Sequence, residues 1–213
     1  MYDQAFKYVK SYLENHNAEM NSGNLFPFWK RSDHIKRVYM WSKRLSEGSE
    51  NIDQRVLLMA AIFHDVGYAI ASDLSSHAES SAIICAEYLI THGYEPKYVE
   101  LVVELVRNHS NKELLKESNS TKELICLLEA DLLDDNGALS IVFDCMVEGA
   151  QEEQTFNKTY GHICAFSGKA MMKNPMVTPK AITFWERKQI LTKSFIEQLG
   201  YDMGSDKEFG FTE

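Results

Sequence analysis

Several features that commonly reveal the class of a small protein are missing from this chain. It has only four cysteines, at positions 85, 126, 145 and 164, and they are widely spaced, form no paired motif and lie among Ile, Leu and Phe residues. This distribution predicts reduced cysteines in the core and argues against disulfides and thiolate metal ligands.

Long hydrophobic runs and an excess of positive charge are missing as well. No stretch approaches the length needed to span a membrane, and residues 1–7 lack the basic start and apolar stretch of a secretory signal. We therefore expect a cytoplasmic protein without membrane association. The formal net charge of −9 argues against a surface that grips long nucleic acids, but it leaves a small anionic substrate open.

The chain also lacks the alternating pattern of strands, internal repeats and any biased linker. Apolar residues recur instead at helical spacing, which predicts an all-α fold in a single domain over residues 1–213. The predicted helices cover about residues 2–20, 32–46, 53–66, 77–92, 97–109, 121–134, 138–150, 154–172 and 181–199.

The most informative feature that is present is the dipeptide His64-Asp65, at the end of the apolar run 56–63. A buried carboxylate beside an imidazole is costly unless something pairs with both groups. A divalent cation would satisfy the two side chains together. The dipeptide therefore indicates a metal site at the end of a buried helix.

Three further ionisable residues, His34, His109 and Asp131, face the core at helical spacing. Their apolar partners are Val38, Trp41 and Leu45 for His34, Val102, Leu105 and Val106 for His109, and Leu124, Leu127 and Leu128 for Asp131. Taken singly, a histidine on an apolar stripe is most simply a hydrogen-bonded core residue. Together, these inward-facing groups indicate one polar site inside a helical core.

Two local features have structural interpretations beside functional ones. Ser76 and Glu79 have the spacing of a capping box, which would begin a helix at His77 and place that imidazole in the first turn, where an anion is favoured. Basic residues also cluster around His34. This cluster is either the solvated face of a helix or a phosphate-binding site, and it consists of Lys30, Arg31, Lys36 and Arg37.

The order of the motifs resembles that of the HD-domain metal-dependent phosphohydrolases, in particular the small single-domain bacterial proteins related to nucleotide pyrophosphohydrolases. The motifs are DHIKRV at 33–38, HDVG at 64–67, HAES at 77–80, RNH at 107–109 and EADLLD at 129–134. The resemblance implies a single-domain HD-type helical bundle with the metal site in its core. The motif core covers about residues 27–137, followed by C-terminal helices over 138–199 and a frayed tail over 200–213.

The resemblance also implies roles for particular residues. The implied metal ligands are His34, His64, Asp65 and Asp131. His77 and His109, together with Arg31 or Lys36, would hold the substrate phosphate. The mixed nitrogen and oxygen ligands suit Mn, Fe, Co or Ni, with Mg as a further candidate.

The chain departs from the family pattern at several positions. Leu132 and Phe143 stand where relatives often have arginines, so the pattern does not fix the substrate. Ser110 follows His109 where the two-metal branch has a second histidine, which favours one metal or a weak second one.

These observations predict an enzyme that hydrolyses a phosphoester or phosphoanhydride of a small substrate, expected to be a nucleotide, by metal-activated water. The alternatives are a non-catalytic HD module that binds a nucleotide or a partner, and a nucleoside monophosphatase.

Overall fold

The computed structural model describes residues 2–19, 29–71 and 76–204. The regular elements in these ranges are helical, which confirms the all-α prediction. The chain divides into two compact units, residues 1–134 and 135–213. The single domain over residues 1–213 therefore stays a prediction.

The first unit contains six α-helices among the described residues, with two short 3₁₀ helices between them. The α-helices are α1 (Tyr2–Asn15), α2 (Arg31–Ser46), α3 (Gln54–Phe63), α4 (His77–Thr91), α5 (Pro96–Asn108) and α6 (Lys122–Asp134). The 3₁₀ helices are Val66–Ala69, between α3 and α4, and Lys112–Lys116, between α5 and α6.

Helix α3 lies at the centre of the first unit. Each residue from Val56 to Phe63 is buried, because this segment is apolar on all sides and packs against α1, α2, α5 and α6. Its first turn is capped by Asp53, whose carboxylate accepts hydrogen bonds from the backbone amides of Arg55 and Val56. The residues that directly follow α3 therefore also lie in the core.

The sequence predicts a helix over 53–66, but α3 ends at Phe63. His64 is its C-cap and Asp65 precedes the 3₁₀ helix Val66–Ala69, so both residues lie just beyond the regular turns of α3. The turn packs closely on α4 through Gly67, whose amide donates a 2.8 Å hydrogen bond to Ser81 Oγ. A Cβ at position 67 would lie 2.1 Å from the carbonyl oxygen of His77, so only glycine fits this approach.

The prediction of a capping box at the start of α4 is wrong. Ser76 is the N-cap residue, but its side chain makes no capping hydrogen bond. Glu79 instead accepts a 2.8 Å hydrogen bond from Arg107 Nε on α5. A long-range ion pair between two packed helices has replaced the local interaction.

The second unit contains α7 (Ala138–Gly149), α8 (Phe156–Ile163) and α9 (Pro179–Asp202). A π-helical turn, Cys164–Gly168, follows α8, so the helix predicted over 154–172 is interrupted. The four cysteines all lie in the described ranges and form no disulfide; Cys85 and Cys126 are buried, whereas Cys145 and Cys164 are partly exposed. None of the described helices combines the length and the apolar character needed to cross a membrane.

Candidate metal centre

Separate helices of the first unit bring a group of imidazoles and carboxylates together in the core. We call this group the His–Asp cluster. Its members are His34 on α2, His64 and Asp65 after α3, His77 at the start of α4, His109 at the end of α5 and Asp131 on α6. Five of them are buried, and the Asp131 side chain is 14% exposed.

His34, His64 and Asp131 form one set of candidate ligands. His34 Nε2 lies 3.2 Å from Asp131 Oδ1 and 3.3 Å from His64 Nε2, and His64 Nε2 lies 3.8 Å from the same carboxylate oxygen. Ligands at right angles around an ion at about 2.1 Å are themselves about 3 Å apart. The spacing of these atoms therefore fits a divalent ion between them.

Asp65 lies beside this set. Its Oδ2 is 3.6 Å from His34 Nε2, and its Oδ1 is 3.7 Å from His64 Nε2. The residues that the sequence predicts as ligands, His34, His64, Asp65 and Asp131, are thus neighbours in space although they come from three parts of the chain.

Asp65 also belongs to a second set, with His77 and His109. His109 Nε2 lies 3.3 Å from Asp65 Oδ1 and 3.2 Å from His77 Nε2, and His77 Nε2 lies 3.8 Å from Asp65 Oδ1. The sequence assigned His77 and His109 to the substrate phosphate alone. The observed spacing also suits a second metal ion that shares Asp65 with the first.

The opposite ring nitrogens explain why the Nε2 atoms face inward. His64 Nδ1 donates to the carbonyl oxygen of Ala61 at 2.9 Å, and His109 Nδ1 donates to that of Val106 at 2.7 Å. A carbonyl only accepts, so a proton lies on Nδ1 of each ring, and the Nε2 atom of each ring faces the cluster. This orientation is typical of histidines that bind metals.

His34 is oriented by a carboxylate. Its Nδ1 lies 2.7 Å from Asp134 Oδ2, and Arg37 Nε donates to Asp134 Oδ1 at 2.8 Å. Burial lowers the pKa of His34, but hydrogen bonds to Asp131 and Asp134 outweigh it and raise the pKa well above its usual value. Asp134 therefore both fixes the ring and increases its basicity.

The other groups of the cluster favour the protonation states that bind metals. Burial lowers the pKa of His64 to about 4, so this imidazole is neutral near pH 7. Burial alone would raise the pKa of Asp65, but His64, His109 and Arg31 hold it well below its usual value. The Asp131 pKa is likewise lowered against the effect of burial, first by Lys112 and then by His34.

The predicted phosphate-binding cations have different environments. Arg31 is buried, and its Nη1 donates to Asp65 Oδ2 at 2.6 Å. Its guanidinium carbon lies 3.6 Å from the Tyr68 ring centre and 4.6 Å from that of Trp29, while its buried Nε has no hydrogen-bond partner among the described residues. Lys36 is instead exposed and lies 3.5 Å from Asp33, so the structure does not bring it to the cluster.

Sequence reasoning missed the charged residues Asp134 and Lys112, which contact the cluster. A signal existed for Asp134, since it lies three residues after Asp131 and so shares its helix face. Lys112, whose Nζ is 2.5 Å from Asp131 Oδ2, had no such signal. It follows a helix end in a polar loop, where periodicity gives no information.

The fold and site define a class: all-helical proteins with a buried histidine–aspartate cluster whose atoms have metal-ligand spacing. Residues 31–136 match the family model described as HD domain, and the chain belongs to the HD-domain family. The resemblance predicted from the motifs is thereby confirmed.

Solved structures with the same fold align with nearly the whole length of this chain. An HD-superfamily hydrolase from Bacillus thuringiensis is 21% identical, with a TM-score of 0.69, covering 96% of this chain and 97% of its own. Bacillus subtilis YpgQ, whose structure is in complex with ADP, is 20% identical, with a TM-score of 0.65, covering 95% and 98%. A search of the curated proteins gives no match.

Proposed function

We propose that this protein is a metal-dependent phosphohydrolase that cleaves a phosphoester or phosphoanhydride of a small nucleotide. One observation carries the proposal. The Nε2 atoms of His34 and His64 approach within 3.3 Å of each other beside the carboxylates of Asp65 and Asp131. A divalent ion placed between these atoms would satisfy both imidazoles and both carboxylates together.

The proposed ligands mix imidazole with carboxylate. Such a set suits Mn, Fe, Co or Ni better than it suits a structural zinc ion, whose coordination is closed. We assign His34, His64, Asp65 and Asp131 as the ligands. Such an ion, when bound, would supply a water of lowered pKa and would neutralise charge on a phosphoryl oxygen.

The surrounding residues would bind and orient the phosphate. Arg31 lies against the rings of Trp29 and Tyr68, and its buried Nε–H has no acceptor within the described part of the chain, which suits a phosphate oxygen. His77 lies in the first turn of α4, where free amides and the helix dipole favour an anion. His77 and His109 would stabilise the charge that develops on the phosphate oxygens during cleavage.

A nucleotide substrate is supported by two observations. YpgQ, similar in fold, is solved in complex with ADP. The net charge of −9 disfavours a long polyanion, whereas a mononucleotide needs positive charge only at the pocket.

The test is a metal-supplemented screen of nucleoside triphosphates, monophosphates, cyclic nucleotides and short oligonucleotides. Asp65→Ala serves as the blank, and Asp33→Ala, an exposed residue of α2, is the matched control. We expect turnover by wild type and Asp33→Ala only. Equal turnover by Asp65→Ala would overturn the proposal. Release of inorganic phosphate from monophosphates alone would identify a nucleoside monophosphatase.

A specific observation favours a second candidate, a non-catalytic nucleotide-binding module. Arg31 and Lys112 pair with Asp65 and Asp131 at 2.6 and 2.5 Å, so the carboxylates have countercharges without a metal. Nucleotide binding by a protein that holds no metal after expression in metal-rich medium, and that turns over none of the panel, would favour this candidate.

A further inference from the structure

Lys112 links the end of α5 to α6 at the edge of the His–Asp cluster. Its Nζ donates to Asp131 Oδ2 at 2.5 Å and to the carbonyl oxygen of His109 at 2.9 Å. It begins the 3₁₀ helix Lys112–Lys116, whose N-cap Asn111 accepts a hydrogen bond from the amide of Glu113. The ammonium group is thereby fixed beside two members of the cluster.

The two oxygens of Asp131 have separate partners. Oδ1 faces the imidazoles of His34 and His64, and Oδ2 is bound by Lys112. The lysine therefore does not occupy the oxygen that we assign to the metal. It adds a positive charge next to the ligand set without replacing a ligand.

Two cations among the described residues contact the cluster, and Lys112 is the more exposed of them. Its side chain is 32% exposed, whereas that of Arg31 is 9% exposed. An ammonium group has three donors, and the described residues accept from two of those on Lys112. One N–H on a partly exposed cation is thus left for a ligand from solvent.

We propose that Lys112 binds an anionic phosphate oxygen of the substrate. The inference rests on the proposed function, because it assumes that the cluster is a phosphate site. The lysine approaches from the exposed edge of the cluster and its third N–H donates to the phosphate, while the other two keep Asp131 and the end of α5 in place. This makes it a substrate-binding cation that supplements the buried Arg31.

The test uses the metal-loaded protein and inorganic phosphate as the probe, with binding measured by calorimetry. Lys112→Gln keeps an N–H donor for Asp131 but removes the charge, and Lys112→Arg keeps the charge. Lys116→Gln, at the exposed end of the same 3₁₀ helix, is the matched control. We expect Lys112→Gln to weaken phosphate binding about tenfold, in line with the loss of one charge-assisted hydrogen bond. Lys116→Gln and Lys112→Arg should bind phosphate much as wild type does.

Elemental analysis and KM separate this role from a structural one. Lys112→Gln should keep its metal and raise KM for the best nucleotide of the screen more than it lowers kcat. Loss of metal together with phosphate binding would show that Lys112 only orients Asp131, and would overturn the inference. Normal phosphate binding and normal KM in Lys112→Gln would also overturn it while leaving the proposed function standing. Lys112-dependent phosphate binding without any turnover would support the inference and reject the hydrolase.

Discussion

At the scale of single residues, the hydrogen bonds of the ring nitrogens turn the imidazoles toward the position that we propose for a metal. Backbone carbonyls hold Nδ1 of His64 and His109, and a carboxylate holds Nδ1 of His34. Each Nε2 therefore points to the cluster before any ion binds. Little reorganisation is needed on metal binding, since the rings are already oriented.

Asp65→Asn should lose most of the bound transition metal. The amide keeps the shape of the carboxylate but removes the negative charge that lies between both ligand sets. The melting temperature should fall as well, because metal binding stabilises only the folded state. Elemental analysis and thermal unfolding check both effects, with Asp33→Asn as the control. Equal metal content in the two variants would refute the ligand assignment.

His77→Gln and His109→Gln should retain one equivalent of metal and lose turnover. The set formed by His34, His64 and Asp131 is untouched in both variants, while the phosphate loses a contact. Metal stoichiometry and kcat are the measurements. If wild type holds two equivalents and either variant holds one, then Asp65, His77 and His109 bind a second ion and the mononuclear prediction from Ser110 is wrong.

Metal affinity should rise with pH across the neutral range. The pKa of His34 is raised, so its proton persists to higher pH than in an ordinary histidine, and metal binding must displace it. Asp134→Asn lowers this pKa and should flatten the pH dependence, and it should also weaken metal binding about 10- to 100-fold by loosening the ring. Titration calorimetry from pH 6 to 8.5 measures both. A pH dependence identical in wild type and variant would contradict the role of Asp134.

At the scale of elements, the 3₁₀ helix Val66–Ala69, which follows Asp65, packs closely on α4, which begins at His77. The close approach depends on the missing side chain of Gly67, whose amide also donates a hydrogen bond to Ser81 Oγ on α4. The geometry of the second ligand set thus depends on a residue that contributes no ligand.

Gly67→Ala should destabilise the protein by about 1–3 kcal/mol or more. The added Cβ would lie 2.1 Å from the carbonyl oxygen of His77 and 2.3 Å from the amide nitrogen of Ser81, so the turn must move away from α4. Denaturant unfolding measures the loss, and metal content should fall with it. Gly149→Ala is the control, because its Cβ would meet nothing within 4 Å. Equal stability of the two variants would show that the turn can move away from α4 without a loss of folding free energy.

At the scale of the whole molecule, the net charge bears on which substrates the proposed hydrolase could take. The chain is acidic overall, and the cations that contact the cluster in residues 2–19, 29–71 and 76–204 are Arg31 and Lys112. A small phosphate compound meets these cations, whereas a longer strand also extends over acidic surface.

Activity should therefore fall as the substrate lengthens from a mononucleotide to an oligonucleotide. Initial rates on single strands of increasing length, compared with the best mononucleotide, provide the measurement. The decline should be steeper at low ionic strength, where repulsion is less screened. Faster cleavage of long single strands than of any mononucleotide would contradict this expectation.

The spacing of apolar residues alone was sufficient to predict the helical class. It also predicted that the four proposed ligands face the core. A residue on the apolar stripe of a helix must face the core, so His34 and Asp131 could be placed from the sequence, and His64-Asp65 from the apolar run before it. The motif order then indicated the family, which the HD-domain match confirms.

Only the tertiary structure decided which groups pair within that core. His34 and Asp134 are 100 residues apart in sequence, and Lys112 and Asp131 are 19 apart, so no local pattern relates them. The same reason accounts for the failed capping box, since Glu79 has Arg107 within reach only after α4 and α5 pack together. Periodicity determines which face of a helix is buried, whereas the partner of a buried charge depends on how the helices pack.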